Sequence, residues 1–376
     1  MKEIPTLIQN KADLKSLVHL ARQTDAVALD TEFVWERTYY PQLGLIQIAL
    51  SDEDCYLIDP LSIEDLTPLG LLLSDRSIVK ILHDAPQDLI ILNRATGAIP
   101  QNIFDTRLAA GFSNLPATLS LGNLVKEVLD ITLEKTETRT NWLQRPLSPK
   151  QISYALNDVR YLRAVRVLLL TRIIGPRIKS WLHEELNLLN NPATYSGPDI
   201  DTRLNKIRGN NNLDRQSLAI LKNLTIWREG MAKKLDRPRG HIIKDTTLLE
   251  IAKQKLHTLE TLCDCTTLSS RAFKKYGETV TAIAQQTINQ APETYPFRRQ
   301  PIRLDSSQKQ SLKKLNSLIA LKCNLLGIAP SLVGSNSELK MLIKILSNSK
   351  SQDTIQLRQT EGWRKNLLEV FFQQNR

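Results

Sequence analysis

The chain has 376 residues, of which 41% are hydrophobic and 24% are charged, and this composition excludes a mostly disordered or fibrous protein. The length predicts two or three domains. We find no apolar run long enough to span a membrane and no apolar core of a signal peptide near the N-terminus, so we predict a cytoplasmic protein that does not bind membranes. The four cysteines are scattered and are predicted to be free thiols.

The net charge of +11 is distributed unevenly along the chain. Residues 1–190 contain 20 Lys and Arg against 23 Asp and Glu, whereas residues 191–376 contain 30 against 16. A basic segment attracts a polyanion through phosphate contacts, and an acidic segment can hold cations. The alternative is a solvated basic surface without a partner. The pattern favours a nucleic-acid-binding region that follows a cation-binding one.

The first part of the chain alternates extended and helical patterns. Apolar runs predict strands at 26–29, 43–50, 55–58 and 78–82, with the first three as an antiparallel meander. Helical patterns follow at 85–95, 103–112, 119–129 and 148–173. This order predicts an α/β domain over residues 1–190, in which helices flank a mixed sheet.

Turn-forming residues at 191–211 predict a linker after this domain. The patterns beyond it are mostly helical, with a second proline-rich break between 291 and 302. They predict two small all-α domains, at 212–290 and 304–376.

Asp30 and Glu32 stand at the end of the first predicted strand. Alternation along a strand places both side chains on the same face of the sheet. Two adjacent carboxylates repel each other unless a cation lies between them. Such pairs are also common on solvated strand ends, so the pair alone does not establish a metal site.

The segment His83–Leu89 follows the fourth predicted strand. Asp84, Pro86 and Gln87 predict a helix N-terminus with Asp84 as the capping residue. Asp88 lies one helical turn later, where its side chain can reach toward the strand ends. The alternative is an acid that only interacts favourably with the start of the helix.

A third motif begins a later helix. Ser148, Pro149 and Gln151 predict an N-terminus with a capping box. Tyr154 and Asp158 then lie four residues apart on one helical face. A lone pair of this kind is usually a surface hydrogen bond.

The three motifs together predict more than each does alone. Asp30, Glu32, Asp88 and Asp158 supply hard oxygen ligands for two divalent metal ions, Mg²⁺ or Mn²⁺. Such a pair can activate water and stabilise the leaving oxygen in phosphodiester cleavage. Tyr154 is the natural group to orient that water.

In the order and spacing of these motifs the chain resembles the ribonuclease D family, in the tyrosine branch of the DEDD exonuclease superfamily. The residues that carry the resemblance are Asp30–Phe33, Thr38–Gln47, His83–Leu89, Phe104–Ala110, Thr138–Leu143, Arg145–Leu147 and Tyr154–Val159. The resemblance implies a ribonuclease H-like fold and 3′→5′ hydrolysis of RNA that releases nucleoside 5′-monophosphates. It also implies processing of the 3′ ends of transfer RNA precursors or other structured RNA, and we predict that the protein is a monomer.

The resemblance also implies individual roles. Asp30, Glu32 and Asp158 would hold the metal on the nucleophile side, Asp30 and Asp88 would hold the second metal, and Tyr154 would orient the attacking water. Asp88 is favoured over Asp84 as the third acidic position. Asp105 is interpreted as structural. Three further residues could contact RNA, but packing and anchoring of the fold are the favoured roles: Arg139, Trp142 and Arg145.

Residues 226–252 resemble the helical domain that helicases and ribonuclease D share, which implies nucleic-acid binding by residues 212–290. Trp227 is predicted to lie in its core. Its basic residues Lys233, Lys234, Arg237 and Arg239 are predicted to contact phosphates. Residues 304–376 match this pattern only loosely.

Two alternatives to an RNA exonuclease stay open. The same carboxylates could cut DNA in a 3′–5′ exonuclease, and the fold could serve a non-catalytic RNA-binding protein. The first is disfavoured because the chain has no polymerase or helicase segment. The second is disfavoured because clustered acids would repel the polyanion.

Overall fold

A computed structural model of the chain describes residues 6–134, 137, 140–195, 197, 199–297, 302–347 and 357–374. The chain forms two compact units. The sheet unit comprises Met1–Val34, Leu43–Tyr195 and Ile302–Arg376. The helical unit comprises Trp35–Gln42 and Ser196–Pro301.

One mixed sheet organises the sheet unit. Its strands are β1 (Leu7–Ile8), β2 (Ala26–Val34), β3 (Gln42–Ala49), β4 (Cys55–Ile58), β5 (Val79–Leu82) and β6 (Ile103–Asp105). Among the described residues their order is β1-β4-β3-β2-β5-β6. Strands β3 and β4 are antiparallel, whereas β2 with β5, β5 with β6 and β1 with β4 are parallel. The prediction of a mixed sheet flanked by helices is confirmed.

The sequence pattern did not predict two short strands, β1 and β6. Strand β1 has two residues, too few for alternation to be visible. The predicted helix at 103–112 is wrong at its start, because residues 103–105 pair with Lys80–Leu82 as a strand. Asp105 then caps the helix that begins at Thr106, with its carboxylate accepting from the amide of Arg107 at 2.8 Å.

The helices of both units are α1 (Lys11–Ala21), α2 (Thr67–Ser74), α3 (Pro86–Thr96), α4 (Thr106–Gly111), α5 (Leu121–Leu129), α6 (Pro149–Arg160), α7 (Leu162–Arg172), α8 (Pro176–Leu188), α9 (Ile200–Lys206), α10 (Arg215–Lys234), α11 (Arg239–Ile242), α12 (Asp245–Gln254), α13 (Leu259–Leu262), α14 (Ser270–Ile288), α15 (Ser306–Leu326), α16 (Asn336–Ser347) and α17 (Gly362–Gln374). Within the described residues, none of these helices combines the length and apolarity that crossing a bilayer requires.

Alternation along β2 directs its apolar side chains into two hydrophobic cores on opposite faces of the sheet. Val27 and Leu29 face one core, which contains buried residues of α1, α2 and α3. Ala26 and Ala28 face the other core, which contains buried residues of α4, α5, α7 and α8. Asp30 and Glu32 continue the alternation of Ala26 and Ala28, and Thr31 continues that of Val27 and Leu29.

Residues 304–376, predicted as a separate domain, instead share the second core of the sheet unit. Trp363 is fully buried, stacked on Trp181 with ring centroids 5.2 Å apart. Glu185 accepts from the indole nitrogen of Trp363 at 2.7 Å and forms a buried ion pair with Arg364. The amphipathic pattern of α15–α17 indicates a buried face but does not identify its partner.

The helical unit has a core formed mainly by α10, α12 and α14. Trp227 is partly buried and packs edge-on against the buried Tyr276, with ring centroids 5.4 Å apart, at the margin of the core in which it was predicted to lie. Part of the predicted linker belongs to this unit, because α9 buries Leu204 and the following Ile207 in the same core.

Candidate active site

Strand β2 brings Asp30 and Glu32 to one end of the sheet, on the face predicted from the sequence. The side chains of Asp30 and Glu32 are both partly buried. Both carboxylates therefore lie where water screens their charges poorly.

Helix α6 supplies the next two residues. The capping box at its N-terminus is confirmed: the Ser148 hydroxyl accepts from the amide of Gln151 at 3.2 Å, and the Gln151 side chain accepts from the amide of Ser148 at 2.9 Å. This well-defined start sets the rotation of the helix. Tyr154 and Asp158 face the end of β2, and the Tyr154 hydroxyl donates a hydrogen bond to the Asp158 carboxylate.

Three of the predicted ligands form one cluster. Oxygen atoms of Asp30, Glu32 and Asp158 all lie within 4.8 Å of one another. Within the described residues, no lysine or arginine forms an ion pair with any of them. This is an acidic cluster compatible with divalent metal binding.

The pKa values of the cluster reflect burial first and mutual repulsion second. Burial raises the pKa of Asp30 well above its ordinary value, and the charges of Asp88, Asp158 and Glu32 raise it further. Burial together with Asp158 and Asp88 raises the pKa of Glu32 to about 8. Burial raises the pKa of Asp158 to about 7, although the hydrogen bond from Tyr154 opposes this. The ionised carboxylates therefore need a compensating positive charge.

Asp88 lies beside this cluster rather than inside it. It is the third residue of α3, which packs on the Val27 and Leu29 face of β2. Thr31 points to that face and donates a hydrogen bond from its hydroxyl to the Asp88 carboxylate. Burial raises the pKa of Asp88 to about 6, and its charge raises the pKa of both Asp30 and Glu32. Sequence reasoning missed Thr31, whose signal is its position between two candidate ligands.

The predicted capping role of Asp84 is wrong. Helix α3 has Ala85 at its N-cap position without a side-chain cap, and Asp84 adopts a left-handed conformation with φ of 59°. The Asp84 carboxylate instead forms an ion pair with Arg107. The α3 N-terminus is held by Asp105, whose carboxylate accepts from the amides of Asp84 at 3.1 Å and Ala85 at 3.0 Å. Asp105 is structural, as predicted, and through α3 it positions Asp88.

Trp142 and Arg145 also have the structural roles that the sequence favours. Trp142 is buried, and a side chain at Gly44 would collide with it, since an added Cβ would lie 2.6 Å from the Trp142 carbonyl oxygen. Arg145 forms a bidentate ion pair with the fully buried Asp59, at 2.9 and 2.6 Å. Arg139 lies outside the described residues.

The chain matches two family models, one described as a 3′-5′ exonuclease over residues 5–174 and one described as the HRDC domain over residues 217–283. It is 55% identical to ribonuclease D of Desulfotalea psychrophila over 98% of both chains. It is 31% identical to ribonuclease D of Escherichia coli over 94% of both chains.

The crystal structure of Escherichia coli RNase D, described as an exoribonuclease involved in structured RNA processing, matches 98% of this chain and 97% of its own. The TM-score is 0.85 at 29% sequence identity. A match of this extent includes residues of both units. The chain therefore belongs to the ribonuclease D family of 3′-5′ exoribonucleases.

Proposed function

We propose that this exoribonuclease trims the 3′ ends of structured RNA, such as transfer RNA precursors, by two-metal hydrolysis at the cluster of Asp30, Glu32 and Asp158. One observation carries the proposal: carboxylates from the end of β2 and from α6 lie within 4.8 Å of one another, and no cationic side chain of the described residues pairs with them. The structured-RNA role of the Escherichia coli relative supports the substrate class.

The donor set fits Mg²⁺ or Mn²⁺, because all the candidate ligands are hard oxygens. Asp30, Glu32 and Asp158 would hold one ion, and Asp30 with Asp88 would hold the other. When bound, the two ions supply the positive charge that activates a water molecule and stabilises the leaving oxygen. Water attack that breaks the bond between phosphorus and the 3′ oxygen of the preceding nucleotide would release a nucleoside 5′-monophosphate and leave a 3′ hydroxyl on the shortened RNA.

In this scheme Tyr154 orients the attacking water and does not deprotonate it. Burial, followed by the charges of Asp158, Glu32 and Asp30, raises the pKa of its hydroxyl above the ordinary value. The phenol therefore keeps its proton at neutral pH. Its proton is directed at Asp158, so its oxygen lone pair is left to accept a hydrogen bond from the attacking water.

The test uses 5′-labelled RNA and single-stranded DNA of the same sequence, each with Mg²⁺ and with EDTA. We expect a metal-dependent ladder of shortened RNA for the wild type and none for Asp30→Asn. Asp88→Asn should also lose activity, whereas Asp84→Asn, which alters an exposed acid on the same segment, should retain it. Equal shortening of DNA would favour a DNA-directed exonuclease, and binding without shortening would refute the proposed hydrolysis. The monomeric state and the cytoplasmic location stay predictions.

A further inference from the structure

Trp142 packs against Tyr154, the residue that we assign to the attacking water. Their ring centroids lie 6.1 Å apart, and the ring planes are tilted by 37°. Trp142 precedes α6 in the chain, and Tyr154 lies in the second turn of that helix. The indole is buried, whereas the phenol is only partly buried. The contact therefore joins a side chain of the core to one that reaches the acidic cluster.

The hydrogen bond to Asp158 restrains only one end of the Tyr154 side chain. The hydroxyl donates to the Asp158 carboxylate. A hydrogen bond at the tip of a side chain still allows the ring to tilt, because carboxylate oxygens accept over a broad range of directions. Contact with a buried ring limits this tilt, since closely packed side chains lose alternative rotamers. Trp142 therefore restrains the ring that carries the hydroxyl.

Arg145 fixes the backbone at Trp142. A guanidinium has five N–H donors, and all five of those of Arg145 are used. Two donate to the carboxylate of the buried Asp59, at 2.9 and 2.6 Å. The other three donate to carbonyl oxygens, those of Trp142 and Gln144 at 2.9 Å and that of Gly44 at 2.6 Å. The segment that carries Trp142 is therefore tied to strand β3 and to the residue that follows β4.

Gly44 allows this segment to lie directly against β3. A Cβ at Gly44 would lie 2.6 Å from the carbonyl oxygen of Trp142 and 2.8 Å from its Cβ. Packing alone would tolerate several apolar side chains of similar volume at position 142. The hydrogen bonds of Arg145 and the close approach at Gly44 instead define one position for the indole.

We propose that Trp142 is a positioning residue for the hydrolysis, whose ring keeps the Tyr154 hydroxyl directed at Asp158 and at the attacking water. The inference rests on the proposed function, in which Tyr154 orients that water. A shift of about 1 Å in a group that orients a reactant can lower the rate on the order of 100-fold. Loss of the Trp142 ring should therefore lower kcat and leave KM nearly unchanged.

The experiment is a double-mutant cycle in which Trp142→Leu and Tyr154→Phe are made singly and together. The values of kcat and KM are measured on 5′-labelled RNA in Mg²⁺, at a temperature at which circular dichroism shows every variant folded. Trp142→Met, which fills the space with a flexible chain, replaces Trp142→Leu if that variant does not fold. The matched control is Trp181→Leu, which removes another buried tryptophan of the sheet unit, stacked on Trp363.

We expect Trp142→Leu to lower kcat roughly tenfold in the wild-type background, with less than about a twofold change in KM. In the Tyr154→Phe background the same substitution should lower kcat by less than about twofold, because the hydroxyl through which Trp142 acts is already absent. Trp142→Phe keeps a ring against Tyr154 and should recover most of the activity. Trp181→Leu should lower the melting temperature and leave kcat unchanged.

Equal losses of kcat from Trp142→Leu in both backgrounds would indicate a general structural role and overturn the proposal. A rise in KM with unchanged kcat would also overturn it, because Trp142 would then contact RNA.

Failure of the proposed function would be visible separately. Wild-type protein that does not shorten RNA in Mg²⁺ would refute the proposed hydrolysis. Full activity of Tyr154→Phe would refute the role of its hydroxyl and, with it, the positioning by Trp142. Equal losses in both backgrounds, with an active wild type and an impaired Tyr154→Phe, would refute the positioning alone.

Discussion

Ionisation of Glu32 is expected to destabilise the metal-free protein. The pKa of this carboxyl is raised from 4.5 to about 8, first by burial and then by the charges of Asp158 and Asp88. Below pH 4.5 the group is neutral in both the folded and the unfolded chain. Between 4.5 and 8 the unfolded chain loses the proton more readily, so the free energy of unfolding falls as pH rises. At pH 7 the cost is about 3 kcal/mol, since each pH unit between 4.5 and 7 contributes roughly 1.36 kcal/mol.

Glu32→Gln removes this charge while keeping the shape of the side chain. In EDTA at pH 7 the variant should therefore melt higher than the wild type, by about 6 °C or more for a unit of this size. The difference should disappear near pH 4.5. Circular dichroism melts between pH 4.5 and 8 measure it, and Glu127→Gln provides the same chemical change on the exposed surface of α5.

Divalent metal should reverse the order of the two melting temperatures, so that the wild type melts higher than Glu32→Gln. At pH 7 with Mg²⁺ the wild type should gain stability by mass action, and the variant should gain less because it lacks one ligand. A variant that melts at or below the wild type at pH 7 in EDTA would refute the reasoning, because the carboxylate would then be compensated by the protein itself.

Four other predictions concern the acidic cluster, its neighbours and the buried ion pair of Arg364. Mg²⁺ affinity should rise between pH 6 and 8, and calorimetry in buffers of different ionisation enthalpy should detect proton release, because the pKa values of Asp158 and Glu32 are about 7 and about 8. Tyr154→Phe should lower kcat roughly 100-fold with little change in KM, as expected when an attacking group is misplaced, whereas Tyr161→Phe should leave kcat unchanged. Thr31→Val removes the hydrogen bond that orients the Asp88 carboxylate, so the Mg²⁺ concentration for half-maximal activity should rise several-fold. An unchanged metal titration would contradict this. Arg364→Ala leaves Glu185 as a buried unpaired charge and should cost about 3–5 kcal/mol of unfolding free energy in denaturant titrations, whereas Arg358→Ala, at an exposed pair, should cost less than about 1 kcal/mol.

Local chemistry explains which parts of the site could be predicted from sequence. Alternation in β2 and the capping box of α6 are local rules, and both place their acids on the faces that the structure shows. The grouping of Asp30 and Glu32 with Asp158, more than a hundred residues later, came from chemical complementarity and from the family resemblance. No local sequence rule relates residues that are so far apart in the chain.

Asp84 shows where a local rule fails. The capping pattern at Asp84 and Gln87 was sound in isolation, but Asp105 supplies a better-placed carboxylate from a neighbouring strand. Asp105 binds the amides of Asp84 and Ala85 just before α3, and the Asp84 side chain pairs with Arg107 instead of capping the helix. Tertiary contacts of this kind override local capping signals. The local sequence around a helix start does not reveal such contacts.

The large second core of the sheet unit bears directly on the chemistry of the acidic cluster. Buried carboxylates that repel one another subtract from stability whenever metal is absent, yet they must stay preorganised to bind it. Helices α15–α17 extend the core that lies on the Ala26 and Ala28 side of β2, the same side to which Asp30 and Glu32 point. Apolar burial by α15–α17 therefore stabilises the same unit that carries the electrostatic cost of the acidic cluster.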